Sequence, residues 1–252
     1  MLRSAVFGLL LLAAAPGLAQ SQESLAGPGT APAQPAARPT VEAAAELAEA
    51  MSPRGLMIAN ELRLFGQQFP VELRKQEGFA ELEKAHPRLM PELQREMEKP
   101  FTAYMNRMFD RYVPQVAKLI SDNMSAAEVA DLTKFYRSPT GQRTLQGMVA
   151  NADAGEIMDT IVKGGEPDEA MLRRQMSGAA SKTAKGFSEA DRVAMTELMM
   201  TPAFWSLAKI QKQVMALKLQ SLNADDPQFD SDTKQAFERV MERVVGEGAA
   251  SE

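Results

Sequence analysis

From Thr40 onward, apolar positions recur at spacings of three and four, while strand-like alternation never lasts more than a few residues. This pattern predicts an all-α fold. Val41 to Met51 and Pro53 to Phe69 read as a first pair of helices, and Val71 to Ala85 as a third, stopped at His86-Pro87. Pro91 to Asn123 forms one long helical stretch. Pro91, Pro100 and Pro114 either break it or only kink it, and the pattern allows both. Within it, Tyr104, Met105, Met108, Phe109, Tyr112, Val116 and Leu119 mark one apolar face. Residues 125–163 read as a central hairpin and Gly164 to Pro167 as a turn. Helices are predicted near 168–179, 188–199 and 202–221. A loop from Asn223 to Ser231 then leads into a last helix, Asp232 to Val245, capped by Asp230 or Ser231. Phe204, Trp205, Leu207, Ile210, Val214 and Leu217 form a second stripe. Both stripes are read as core.

The most explicit local grammar lies in Met124 to Leu145. Ser125 and Glu128 have capping-box spacing, in which each side chain satisfies an orphan backbone N–H at a helix start. Val129, Leu132, Phe135 and Tyr136 follow on one side. Pro139 then ends the helix and pushes Ser138 out of the α region, which places Ser138 to cap the next helix with Pro139 at its first position. The product is a tight helical hairpin. Segment 187–210 superimposes on 124–147 without a gap. Ser188/Asp191 replaces Ser125/Glu128, Thr201-Pro202 replaces Ser138-Pro139, and Met195, Leu198 and Met199 replace Leu132, Phe135 and Tyr136. Ser52-Pro53-Arg54-Gly55, with Thr40 as a cap upstream, is a weaker third echo. These matches suit either an internal duplication or independent hairpins that share a proline-initiated second helix. The fold expectation is therefore a helical bundle built of αα-hairpins, near 41–69, 125–163 and 188–221.

The N-terminal stretch predicts compartment. Arg3 is a short basic region, Val6 to Ala15 an apolar core, and Gly17-Leu18-Ala19 a small-residue cleavage site. Residues 1–19 thus read as a cleaved signal peptide, with the mature chain from Gln20 destined for the periplasm. Residues 20–39 are rich in Ala, Pro, Gly and Gln and read as a disordered spacer. Residues 40–247 read as the helical domain and 248–252 as a frayed tail. No cysteine is present, so neither a lipoprotein anchor nor a disulfide, thiol nucleophile or cysteine metal site is available. No later segment has the apolar length of a membrane span. The net charge is −5, which argues against nucleic acid and against strong attraction to anionic membranes.

Candidate chemistry is sparse. His86 is the one histidine, so a His/Cys transition-metal site cannot be assembled within the chain. No G-x-S-x-G elbow, G-x-G-x-x-G or P-loop occurs. Asp225, Asp226, Asp230 and Asp232 suggest calcium, but Lys234 stands where a third ligand belongs and the glycine turn is missing. Glu92, Glu96 and Glu98 among Arg95 and Lys99 read as a charged helix face. Arg137 beside Tyr136 and Ser138 could hold an anion at a helix N-terminus, against the plainer reading of a cap and a surface charge. The 17 methionines are the compositional oddity, since Met fills irregular cores and also suits binding surfaces that repack around varied partners.

The run FTAYMNRMFDRYVPQ followed by MSAAEVADLTKFYRSPTGQRTL resembles an exported bacterial family catalogued as domain of unknown function 2059. Ser125, Glu128, Phe135, Tyr136, Ser138, Pro139, Gly141 and Gln142 carry the resemblance, over roughly residues 100–150. It implies an all-helical, secreted or periplasmic protein and brings no catalytic residues. The second hairpin departs from it, with Met199, Met200 and Phe204 where Tyr136, Arg137 and Gly141 stand. The functional expectation is a non-enzymatic helical binding protein, a protein-interaction or chaperone-like module with a Met-rich apolar groove and no cofactor. Its candidate surface comprises Phe135, Tyr136, Arg137, Ser138, Met195, Met199, Met200 and Trp205. A carrier of a lipid or apolar small molecule, and a carboxylate-based cell-envelope enzyme, are the alternatives.

Overall fold

A computed structural model describes residues 37–153, 155–162 and 165–249. Its elements are helices α1 (Val41–Met51), α2 (Arg54–Arg74), α3 (Phe79–Ala85), α4 (Leu89–Asn123), α5 (Ala126–Arg137), α6 (Pro139–Ala150), α7 (Gly155–Val162), α8 (Glu169–Lys185), α9 (Glu189–Met199), α10 (Pro202–Leu222) and α11 (Pro227–Ala249). The fold is all-α, with no strand among the described residues. The predicted signal peptide, most of the spacer, Gly164 of the predicted turn and the last residues of the predicted tail lie outside the described residues.

Helix α4 is the spine. Its 35 residues span about 52 Å at the helical rise, and α1, α2, α10 and α11 pack along it. Tyr104, Met108, Phe109, Tyr112, Val116 and Ile120 of its apolar stripe are at most 2% exposed. The prolines within it break nothing. Pro91 sits in the first turn, where its missing N–H would have had no intrahelical partner. Pro100 and Pro114 are accommodated within a continuous helix.

Other boundaries differ from the sequence expectation, for local reasons. Helix α2 runs through Pro70 to Arg74 instead of stopping at Phe69. A proline frees the carbonyl four residues before it. Here that carbonyl, Gly66 O, accepts a 2.7 Å hydrogen bond from Gln94 Nε2 of α4. The helix expected over Val71 to Ala85 is divided between the end of α2 and the short α3, because Gly78 takes a left-handed φ of 77° and turns the chain. His86 occupies the C-cap of α3. Helix α8 extends to Lys185, beyond the predicted 179. Helix α11 starts five residues early, at Pro227, because Asp226 is its cap: Oδ1 accepts from Phe229 N at 3.0 Å. Asp230 and Ser231, the expected caps, lie inside the helix.

Thr40 caps α1, with Oγ1 accepting from Ala43 N at 3.1 Å. The third echo goes no further. Ser52 is the C-cap of α1, and α2 starts from Pro53 without a side-chain cap.

Candidate functional site

The two hairpins cross reciprocally. In the first, Glu128 closes a capping box on Ser125, with Oε2 accepting from Ser125 N at 2.7 Å and from Ser125 Oγ at 2.8 Å. The other oxygen, Oε1, accepts from Ser206 Oγ of α10 at 2.5 Å. In the second hairpin, Asp191 closes its own box on Ser188. It also accepts from Thr140 Oγ1 at 2.8 Å and from Arg143 Nε at 3.1 Å, both on α6. When 124–147 is laid on 187–210, Glu128 falls on Asp191 and Arg143 on Ser206. Each box acid is therefore held by the same position of the other hairpin's second helix. The Arg143 guanidinium, with the Ser188 and Thr140 donors behind it, holds the Asp191 carboxyl well below the usual carboxylate range. Burial works against ionisation of Glu128, but the hydrogen bonds from Ser206 and Ser125 outweigh it and its pKa falls too.

The turns differ. At the α5–α6 turn, Ser138 Oγ accepts from Gly141 N at 3.1 Å, and Gln142 Nε2 donates to Tyr136 O at 2.6 Å. A Cβ on Gly141 would stand 2.1 Å from Phe135 O and 2.7 Å from Tyr136 Cα. The glycine of the FYRSPTG motif is thus required by the closeness of the two backbones. Phe204 occupies the matching place in the second hairpin, where Met200, in the place of Arg137, is the C-cap of α9 and Thr201 caps α10.

The sequence-predicted surface is not one surface. Tyr136 is 3% exposed and Met195 8%, while Phe135 and Met199 are half-buried against the core. Ser138 is consumed as a cap, and Arg137 forms a 2.5 Å ion pair with Glu46 of α1. Of the set, Arg137, Met200 (80%) and Trp205 (42%) are the exposed members. Arg137 closes the C-terminal end of α5, whereas Ser206, next to Trp205, binds at its N-terminal end. Twelve helical residues separate these ends, about 18 Å. The expected Met-rich groove is also not what the methionines build: Met51, Met57, Met97, Met108 and Met124 are at most 4% exposed, within the core. A shallow groove does lie on the outer side of α4, but Arg95, Glu98, Lys99, Thr102, Ala103 and Asn106 line it.

Other acidic candidates are occupied by arginines. Asp226 receives Arg107 Nη2 at 2.9 Å and Arg111 Nη1 at 3.5 Å, which ties the start of α11 to α4. Glu92 and Glu96 both meet Arg243, at 2.7 and 3.3 Å, and join the other end of α11 to the spine.

Sequence reasoning passed over the oddest group in the molecule, Lys218. It is 1% exposed on the core face of α10, and its Nζ has no hydrogen-bond partner among the described residues. Burial pulls its pKa down to about 7, against the attraction of the Glu61 carboxylate on α2. Glu61, 4% exposed, is also within electrostatic reach of Tyr104, as are Arg107, Arg111 and Asp226. The signal was present: Lys218 falls four residues after Val214 and four before Leu222, and Glu61 falls four after Met57 and four before Phe65. Both interrupt apolar stripes.

Fold and geometry define an all-helical protein organised on one long helix and two reciprocally clamped hairpins. Over part of that unit the chain is similar to a known family: the family described as an uncharacterized protein conserved in bacteria (DUF2059) matches residues 110–158, from the second half of α4 through α5 and α6 into α7. No curated protein and no solved structure matches the chain.

Proposed function

We propose that this is an exported, non-enzymatic binding protein that engages an apolar segment of another polypeptide through the tip of the α9–α10 hairpin. The observation that carries this reading is the contrast at that tip. Phe204 is 6% exposed and locked in the core, while Met200 at 80% and Trp205 at 42% stand in solvent. Large apolar side chains left outside a well-filled core favour an interaction role when they share one tip. Met and Trp are suited to it, one by adaptability and the other by contact area. The leader-like start of the chain, with Arg3, Val6 to Ala15 and Ala19, supports a periplasmic setting.

Trp205 is the chain's one tryptophan, so its fluorescence reports directly on whatever covers the tip. Titration with reduced, carboxymethylated lactalbumin, an unfolded polypeptide, should shift its emission to the blue and shield it from acrylamide. Met200→Ser should weaken that response. A response to phospholipid vesicles but not to the polypeptide would replace this reading with lipid binding. No response to either would overturn it.

A further inference from the structure

Lys218 occupies an unusual position for a lysine. Its neighbours along the inner face of α10 are Val214, Met215 and Leu222, each at most 7% exposed, and its ammonium position has no hydrogen-bond acceptor among the described residues. An ionised amine in such a place is strongly disfavoured, because nothing replaces the water it gave up. We propose that Lys218 is a pH-sensing group: it enters the core uncharged, and its protonation in mildly acidic medium loosens the C-terminal half of α10 from the α4 spine.

The surrounding charges are arranged for that response. From α2, the Glu61 carboxylate attracts a proton to Lys218. From α4, Tyr104 and Tyr112 face the core with phenols that burial keeps protonated, so neither supplies charge. Arg107 and Arg111 flank Tyr104, but both are turned to Asp226 at the start of α11, which they hold as a carboxylate. On α5, Glu128 is held by Ser206 at the other end of α10. On the other helices packed against α10, Asp191 of α9 is bound by Arg143, and Arg173, Arg174, Lys182 and Lys185 of α8 are exposed, as are Glu189, Arg192 and Glu197 of α9. The folded-state pKa of Lys218 stands at about 7, so its charge changes near neutrality.

The sign follows from linkage. The unfolded or opened segment holds the proton up to the ordinary lysine value of 10.5, the folded one only up to about 7. Between these values the opened form binds more protons, so closure of α10 strengthens as pH rises and is weakest below about 7. The response of Lys218 itself does not depend on there being a partner.

Two measurements on the full mature chain test this. Side-chain NMR of the lysine Cε–Hε pairs should show one lysine titrating near neutrality, absent in Lys218→Met. Hydrogen exchange of peptides covering 202–222, corrected for intrinsic rates, should show an opening constant that falls about tenfold per pH unit above pH 7 and levels off below it. Lys218→Met should remove that dependence. Lys218→Arg, which stays charged, should exchange at the fast, acid-side rate at every pH. The proposal is overturned if every lysine titrates near 10, or if exchange in 202–222 has the same pH dependence in all three proteins.

Discussion

Arg143 of α6 donates from Nε to Asp191 Oδ1 of α9 at 3.1 Å, and so ties the second helix of one hairpin to the capping box of the other. The matching link runs the opposite way, from Ser206 of α10 to Glu128 of α5 at 2.5 Å. A carboxylate at the third position of a helix has two oxygens, and closing the box need engage only one. At Glu128, Oε2 takes both Ser125 donors and Oε1 remains for Ser206. The cap thereby becomes a cross-link between hairpins as well as the start of a helix. The two links use equivalent positions of the two hairpins, in opposite directions.

Asp191→Asn should lower stability at neutral pH, and the loss should shrink in acid. The folded carboxyl is held below its ordinary value, so its contribution is complete above about pH 4 and fades as pH falls. Urea titrations of both proteins from neutral to acid pH check this. The curves should approach each other at the acid end, and a constant gap would show that Asp191 acts through shape alone.

Gly141→Ala should cost about 3 kcal/mol, because the new methyl overlaps backbone atoms that cannot rotate away. Gly178→Ala, in the middle of α8 with nothing within 4 Å, should instead stabilise by about 0.5–1 kcal/mol. Thermal melts of the two variants should move in opposite directions.

Gln94→Ala should destabilise by about 1–3 kcal/mol by leaving Gly66 O without its donor. Adding Pro70→Ala returns a backbone N–H at the place where the carbonyl lost one. The double variant should therefore recover most of the loss, a non-additivity that denaturant titration would read directly.

Lys218→Met should stabilise the protein at pH 7 by about 1–4 kcal/mol, since an apolar chain of similar volume replaces a buried amine without a partner. The gain should diminish as pH rises toward 10.5 and the unfolded chain also gives up its proton. Equal or lower stability at pH 7 would mean that the amine is well satisfied in the fold.

Phe204→Ala and Trp205→Ala should separate core from surface within two residues. The first should cost about 3–5 kcal/mol and the second under about 1 kcal/mol, although it removes the larger ring. Loss of polypeptide binding by Trp205→Ala with an unchanged melting temperature would place its role at the surface.

Helix and cap were legible in the chain because their physics is local. Thr40, Ser125, Ser138, Ser188 and Thr201 each accept the backbone N–H expected from spacing alone. Apolar periodicity likewise gave the buried face of α4. What failed depended on atoms distant in sequence. Pro70 continues a helix because Gln94 comes to the freed carbonyl. Asp226 starts α11 early because Arg107 and Arg111 stand across from it on α4. The candidate surface divided for the same reason: spacing grouped Tyr136 with Val129 and Leu132, and only packing decided that this face is covered while Met200 and Trp205 are left in solvent. The sequence by itself determined the all-α class, the caps at Thr40, Ser125, Ser138, Ser188 and Thr201, and the hairpin turns, since these are settled by neighbours within a turn or two of helix. Tertiary structure alone decided that the hairpins clamp each other, that Met51, Met57, Met97, Met108 and Met124 lie in the core while Met200 does not, and that Lys218 is shut inside, since burial is fixed by which helices meet.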